Sequence, residues 1–238
     1  MWQGAWRIAK YEFNLAWRGY LVTILVLAYT SFFTSVLLYA HLSREISPLS
    51  AWGLDLGYFC MLPLFGFLMD QTTFRYRRED TYSRKLAEWH TMPIGVGQII
   101  AGRLMLLILV FIADWLLYFG VQYAAFEELR ELLNPAEYVI YALTWFGYGV
   151  IASTLMVFME LGFSGRVYFG FCFIFVFFML MVTLLLTVNG KSAVMLTLEE
   201  AAGGHWEIAA ISVAAAAMAA GGFGALLHRR INRRSFWI

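Results

Sequence analysis

One serine and one histidine of this chain form a candidate pair for nucleophilic catalysis. Ser164 stands in the tetrapeptide GFSG at residues 162 to 165, and His228 follows a long apolar run. A serine hydroxyl becomes a useful nucleophile when a base such as histidine lies within hydrogen-bond reach. Catalysis inside a membrane therefore requires that the fold bring Ser164 and His228 face to face in a water-filled cleft.

Asp114 is the ionisable side chain that falls near the middle of an apolar run. A charged residue at this depth costs about 2.5 to 3.5 kcal/mol to insert, so it usually faces a bundle interior or a cavity. Tyr118, one helical turn on, is placed to donate a hydrogen bond to it. Two interpretations stay open for Asp114, an internal hydrogen-bond strut and a contact for substrate or ion. Asp55 and Glu160 fall near the ends of apolar runs and are assigned no role.

The elements that must position these residues are membrane helices. The 238 residues are 61% hydrophobic and 14% charged, which is more apolar surface than a soluble domain of this size can hide. An open strand edge in lipid would leave backbone groups unpaired, so the predicted fold class is all-α, a single polytopic domain over residues 1–238. Apolar windows of about 20 residues predict six transmembrane helices. They lie near 20–40, 52–69, 104–124, 138–159, 167–187 and 208–227.

Lysine and arginine are distributed unevenly between the predicted loops. Fourteen of the 17 fall in the N-terminal segment, the second loop (where Arg103 is counted), the fourth loop and the tail; the other three are Arg44, Arg130 and Lys191. Because basic residues accumulate in cytoplasmic loops, both termini are predicted to be cytoplasmic. Segment 188–206 is then an outer loop. Its sequence SAVMLTLEEAAGG predicts a short helix ended by glycines, a possible external gate, or else an ordinary acidic loop.

The N-terminal residues 2–18 have the pattern of a helix that lies on a membrane surface. At 100° per residue, the large aromatic side chains fall on one stripe and Arg7 and Arg18 fall on the opposite side. The alternative is a short frayed leader before the first span. The side chains predicted to contact the membrane surface are Trp2, Trp6, Phe13 and Trp17.

The segment 75–99 concentrates the charge of the chain in one predicted cytoplasmic loop. No Gly or Pro interrupts residues 79–89, and Tyr82, Leu86 and Trp89 recur at helical spacing. Pro93 then ends the helix. We expect a short helix across the cytoplasmic face, hinged at Pro93; the alternative is a solvated loop that only sets orientation.

This segment resembles the second intracellular loop of type-2 ATP-binding-cassette (ABC) transporter permeases. The resemblance rests on Glu79 and on the run MPIGVGQIIAGRL at 92–104, and the layout of the whole chain is similar to that family as well. Tyr82 and Ser83 replace the small Ser/Gly-Thr pair usual after the acid, and Met92 stands where Leu is common. In that family the loop is a coupling helix that docks into an ATPase subunit. The docking residues implied here are Glu79, Arg84, Lys85, Glu88, Pro93 and Ile94.

The resemblance implies a permease subunit of an exporter in the bacterial cytoplasmic membrane, moving an amphipathic drug, peptide or lipid-like substrate. The ATPase is expected to be a separate chain, because Gly190-Lys191-Ser192 lacks the first glycine of a phosphate-binding loop, where Leu185 stands. ATP and Mg²⁺ would be bound by that partner, and this chain is expected to hold no cofactor, metal or catalytic residue. The other expected partners are membrane lipids and a second permease copy, identical or paralogous, but no nucleic acid.

In the same family the second and fifth spans border the substrate path. The resemblance therefore makes the phenylalanines of the fifth span candidates for an apolar lining, together with Asp114; ordinary packing or lipid exposure is the alternative. The candidates are Phe171, Phe173, Phe177 and Phe178.

Two other functions fit the same sequence. The GFSG tetrapeptide also resembles the nucleophile motif of rhomboid intramembrane serine proteases, with Ser164 as nucleophile and His228 as base. However, the predicted topology places Ser164 in a cytoplasmic loop and His228 beside Arg229 and Arg230. A membrane scaffold without transport activity would explain the charge distribution equally well.

Overall fold

The computed structural model describes residues 2–43, 51–68, 89 and 94–233, and these residues form helices and short connections without a β-strand. This confirms the all-α fold class. The helices of the described residues are α1 (Trp2–Leu42), α2 (Ala51–Met61), a 3₁₀ helix (Leu62–Leu64), α3 (Val96–Ala125), α4 (Glu127–Leu132), α5 (Pro135–Gly162), α6 (Gly165–Val188), α7 (Ala193–Ala202) and α8 (Trp206–Arg233).

Five helices in the described part of the chain are long and apolar enough to cross a membrane: α1, α3, α5, α6 and α8. The shortest of them, α6, has 24 residues, which at 1.5 Å per residue is about 36 Å and exceeds a hydrocarbon core of roughly 30 Å. The chain therefore has the architecture of a helical membrane protein. Five long helices stand where six spans are predicted, because the segment predicted as the second span is not one continuous helix.

Pro63 interrupts the segment predicted as the second span. Helix α2 has 11 residues and is followed by the 3₁₀ helix and two turn residues. Proline has no N–H, so Pro63 cannot donate to the Phe59 carbonyl four residues earlier. Side chains of α5 compensate: the Tyr148 hydroxyl donates to the Phe59 carbonyl at 2.7 Å, and Ser153 Oγ donates to the Pro63 carbonyl at 2.8 Å. The broken backbone is thereby satisfied inside the protein, as a lipid environment requires.

Helix α1 joins the predicted surface segment 2–18 and the predicted span 20–40 in one continuous helix of 41 residues. Small residues allow its N-terminal turns to lie close to α3: a Cβ added at Gly102 would lie 2.9 Å from the Ala5 carbonyl oxygen. Gly19 alone does not break the helix, since one glycine costs only about 1 kcal/mol relative to alanine.

Helices α5 and α8 form the most extensive helix pair of the described bundle. Gly147 of α5 faces Ser212 of α8 so closely that no Cβ fits between them. Ser212 Oγ also donates to the Thr144 carbonyl at 2.8 Å. Such small residues permit close backbone approach where lipid offers no hydrophobic driving force between helices.

The start of α5 is fixed by a capping box. Asn134 Oδ1 accepts from the backbone N–H groups of Ala136 and Glu137 at 3.0 and 3.1 Å, and Glu137 Oε2 accepts from the Asn134 N–H at 2.9 Å. Pro135 occupies the first helical position, where its missing N–H costs nothing. The helix that carries Tyr148, Ser153 and Glu160 therefore begins at a defined residue.

Candidate functional site

Of the segment 75–99, which is assigned to ATPase docking, the structure describes Trp89 and residues 94–99. Five of the assigned residues lie outside the described residues: Glu79, Arg84, Lys85, Glu88 and Pro93. Ile94 is described and is partly buried just before α3 begins. On the other side, Phe67 is described, and its ring lies 5.8 Å from the Arg103 guanidinium carbon. Phe67 and Ile94 thus lie toward the same end of the bundle.

A buried ion-paired cluster joins three long helices at this end. Arg103 of α3 donates from Nη2 to the Glu160 carboxylate of α5 at 3.0 and 3.3 Å, and Nη1 lies 3.7 Å from Glu12 Oε2 of α1. All three residues are buried. Buried charges persist in a protein interior only when they are paired. We call Arg103, Glu12 and Glu160 the Arg103 cluster.

The Arg103 cluster gives partners to two residues for which the sequence analysis predicts none. Arg103, which is counted with the charges of the second loop, lies in α3, and Glu160, to which the sequence analysis assigns no role, is a main partner of Arg103. No spacing in the sequence links residues 12, 103 and 160. The available signal was only that each charged residue sits inside a helical pattern, where an unpaired charge would be costly.

A second polar cluster, centred on Gln122, lies toward the opposite end of α3. The Gln122 amide donates to the Tyr58 hydroxyl at 2.9 Å and to Ser35 Oγ at 3.4 Å, and the Tyr138 hydroxyl donates to Gln122 Oε1 at 3.2 Å. Gln122 is fully buried. Its partners come from α1, α2 and α5, so this Gln122 cluster joins four helices. The sequence analysis assigned these residues no role.

Asp55 also has a defined partner that the sequence did not reveal. Its carboxylate accepts from Ser192 Oγ at 2.7 Å and from the N–H groups of Ala193 and Val194 at 2.9 and 3.0 Å. These are the first residues of α7, the short helix expected in segment 188–206, which is present and ends before Gly203 and Gly204. A carboxylate at a helix N-terminus satisfies otherwise unpaired donors and interacts favourably with the helix dipole. Asp55 thus fixes α7 to α2.

Asp114 is as buried as Asp55, but its carboxyl oxygens form no hydrogen bond of ordinary length and angle with the described residues. The Tyr20 phenol of α1 lies near enough to interact with its charge. Tyr118, the expected partner, instead forms a hydrogen bond of 2.6 Å with Thr34 Oγ1. The expected pairing was therefore wrong. Helix α1 supplies a hydroxyl that spacing along α3 alone does not reveal.

The structure does not bring the predicted path residues together within one chain. Asp114 lies in the contact between α3 and α1, whereas α6 packs mainly against α2 and α5. Phe173, Phe177 and Phe178 are 63%, 64% and 59% exposed on α6, and Phe171 is partly buried near Phe175. The exposed rings form an apolar face open to lipid or to another chain.

Ser164, the residue before α6, and His228 of α8 lie at one end of the bundle but on different sides of α8. Arg230 Nε of α8 donates to the Gly162 carbonyl at 2.7 Å, next to Ser164. His228, two residues before Arg230, faces Gly97 of α3 and bonds to Asn232 at 3.3 Å. Positions two residues apart are separated by about 200° around a helix. The described contacts therefore place no histidine base at Ser164.

The four aromatic side chains assigned to the membrane surface, Trp2, Trp6, Phe13 and Trp17, are all exposed on α1. Between this part of α1 and α3 lies a groove of about 380 Å³ lined by Trp6, Phe13 and Tyr20. The residues of α1 that are buried next to α3 include the small residues Ala5 and Ala9 as well as Glu12.

The polar groups of this bundle mainly hold helices to one another. The Arg103 cluster and the Gln122 cluster lie toward opposite ends of α3. A displacement of α3 would therefore change the contacts of both clusters. Among the described residues, no group of three or more His, Cys, Asp or Glu side chains is placed to hold a metal ion. Comparison of the chain with protein-family models, curated proteins and solved structures gave no match.

Proposed function

We propose that this chain is the membrane-spanning permease subunit of an ATP-driven ABC exporter, which moves an amphipathic substrate out of a bacterial cell with energy from separate ATPase subunits. The observation that carries the proposal is the Arg103 cluster, which joins α1, α3 and α5 near the start of α3. Phe67, which precedes the charged segment, contacts Arg103, and Ile94, one of the assigned docking residues, comes just before α3 begins. A force applied to that segment would reach α1, α3 and α5 together.

The proposed topology has six crossings with both termini in the cytoplasm. Residues 51–67 supply the sixth crossing in broken form, since Asp55 contacts α7 at one end of the bundle and Phe67 contacts Arg103 at the other. The charge distribution supports this orientation. Arg7, Arg166 and Arg230 belong to helix ends on the Phe67 side, whereas Lys191 and the acidic residues of α4 and α7 lie on the Asp55 side.

The proposed mechanism is a relay through α3. ATP and Mg²⁺ bind to the partner ATPase, and closure of two ATPase subunits displaces the docked segment. Because Arg103 ties the start of α3 to Glu12 and Glu160, α1 and α5 move with it. Such rigid-body movement of packed helices is a standard way to switch access between the two sides of a membrane.

The proposed substrate path lies between two copies of the chain. The exposed rings of Phe173, Phe177 and Phe178 would face the second copy and form an apolar lining for an amphipathic substrate. Asp114 lies away from α6 and belongs to this path only if α1 and α3 also border it in the dimer.

Co-purification from native membranes tests the proposal directly. We expect an ATPase subunit of about 25–35 kDa, the size of a single-domain to small two-domain chain, to be recovered with the permease. Recovery of the permease alone from cells that express its native gene neighbourhood would favour the scaffold instead. Substituting Ser164→Ala should leave activity unchanged; loss of a proteolytic activity would favour the rhomboid interpretation.

The docking assignment has its own test. Glu88→Arg should uncouple ATP hydrolysis from transport in reconstituted vesicles while the protein still inserts and folds. Glu131→Arg, the same charge reversal at an exposed position of α4 on the opposite side, is the matched control. Normal coupling in the Glu88 variant would remove this segment as the docking site.

A further inference from the structure

A cavity of about 720 Å³ opens where α5, α6 and α8 meet, at the end of the bundle that carries the Arg103 cluster. Three arginines of α8 line it, Arg229, Arg230 and Arg233, and no Asp or Glu is among its described lining residues. None of the three guanidinium groups forms a salt bridge with a carboxylate of the described residues. The cavity therefore concentrates positive charge without an internal counter-ion from that part of the chain.

Arg230 is held in place at the cavity wall. Its Nε donates to the Gly162 carbonyl at 2.7 Å, and its guanidinium carbon lies 3.8 Å from the centre of the Phe163 ring. These contacts engage Nε and one face of the guanidinium plane, which leaves the terminal N–H groups for another acceptor. A fixed guanidinium with free N–H groups suits a phosphate oxygen, because its geometry is set before binding.

The first turn of α6 adds donors to the same cavity. Ser164 is the residue before the helix, and its side chain makes no capping hydrogen bond, so the first N–H groups of α6 have no side-chain acceptor there. Ser164 also lines the cavity. The N-terminus of a 24-residue helix attracts anions through these N–H groups and the helix dipole. The GFSG tetrapeptide thus contributes to an anion site in this geometry.

The remaining wall of the cavity is apolar. Phe158, Val167 and Leu226 line it beside the arginines. A soluble anion such as inorganic phosphate would leave this wall unused, whereas a phospholipid would place its phosphate against the arginines and its hydrocarbon against the apolar side chains. We propose that this cavity is a binding site for an anionic phospholipid, with Arg229, Arg230, Arg233 and the start of α6 holding the phosphate. This proposal does not depend on the transport function.

Native mass spectrometry of the full-length protein in detergent tests the site, with phosphatidylglycerol or phosphatidylcholine added. We expect phosphatidylglycerol to be retained preferentially, and the Arg229→Gln/Arg233→Gln variant to lose this retention about tenfold, because basic side chains at a membrane surface each favour anionic lipid. Both arginines are exposed, so the variant should keep the fold. The matched control, Arg7→Gln/Lys10→Gln, removes two exposed charges from α1 outside the cavity and should retain phosphatidylglycerol normally.

Three results would overturn the proposal. Equal loss of phosphatidylglycerol retention in the arginine variant and in the Arg7/Lys10 control would indicate a general charge effect. Equal retention of phosphatidylglycerol and phosphatidylcholine by the native protein would indicate an apolar groove without phosphate recognition. Displacement of bound phosphatidylglycerol by equimolar inorganic phosphate would show that the site recognises a soluble anion. A thermal unfolding midpoint unchanged from the native protein confirms that the arginine variant is folded when it is tested.

Discussion

The Tyr148 hydroxyl donates at 2.7 Å to the Phe59 carbonyl, the acceptor that Pro63 leaves without a helical donor. Removing this hydroxyl should therefore leave the Phe59 carbonyl without a hydrogen-bond donor inside the bundle. We expect Tyr148→Phe to lower the free energy of unfolding by about 1–2 kcal/mol, measured by thermal or detergent-induced unfolding. Tyr29→Phe, at a highly exposed position of α1, is the control and should have little effect.

A double-mutant cycle separates this explanation from a general packing effect. Pro63→Ala restores a backbone N–H that can donate to Phe59, so Tyr148→Phe should cost less in the Pro63→Ala background than in the native chain. Equal costs in both backgrounds would show that Tyr148 does not compensate for the proline.

Arg103 is expected to be the most sensitive position of the described charged residues. Arg103→Gln removes the cation that pairs with Glu160 and Glu12, and we expect a loss of about 3 kcal/mol in stability because buried carboxylates lose their partner. The exposed substitution Arg166→Gln is the control. The double variant Arg103→Gln/Glu160→Gln should be less destabilised than the sum of its single variants; an additive result would mean that the pair does not interact in the folded protein.

Substitutions of Asp55 and Asp114 by asparagine should change stability in opposite directions, although both residues are fully buried. Asp55 accepts three hydrogen bonds at the start of α7, so Asp55→Asn should cost about 1–2 kcal/mol. Amide hydrogen exchange should accelerate in residues 193–202. Glu199→Gln, an exposed substitution within α7, should leave exchange there unchanged, and protection of α7 in the Asp55 variant would exclude the capping role.

Asp114→Asn should raise stability, by about 1 kcal/mol, because it replaces a buried carboxyl that forms no hydrogen bond of ordinary length and angle with the described residues. The measurement is the same unfolding experiment as for Asp55. If Asp114 contacts a transported substrate or ion, the stabilised variant should also lose transport. A lower stability would show instead that Asp114 is the internal strut, paired through Tyr20.

Gly147 should not accept a side chain. A Cβ at this position would collide with Ser212, so Gly147→Ala is expected to cost about 1–3 kcal/mol through separation of α5 and α8. Gly120, in α3, has open space around the equivalent position, and Gly120→Ala should be neutral or slightly stabilising. Equal effects of the two substitutions would argue against the close α5–α8 contact.

The sequence by itself determined where the long helices and the short helix α7 lie along the chain. Apolar windows located the five long helices because a membrane requires about 20 consecutive apolar residues per crossing, and Gly203 and Gly204 marked the end of α7. These signals are local, since each depends on side chains close together along the chain. Pro63 was equally visible in the sequence, but the hydropathy of residues 52–69 concealed its break of the second span.

Only the tertiary structure decided which polar groups meet. Arg103 with Glu160, Asp55 with the start of α7, and Tyr118 with Thr34 are separated by 57 or more residues. Their pairing depends on how each helix is rotated about its axis and on which neighbour it packs against. Hydropathy does not encode that rotation, because a membrane helix is apolar on its lipid-facing and protein-facing sides alike, and small residues and single polar side chains fix it only once the helices are packed.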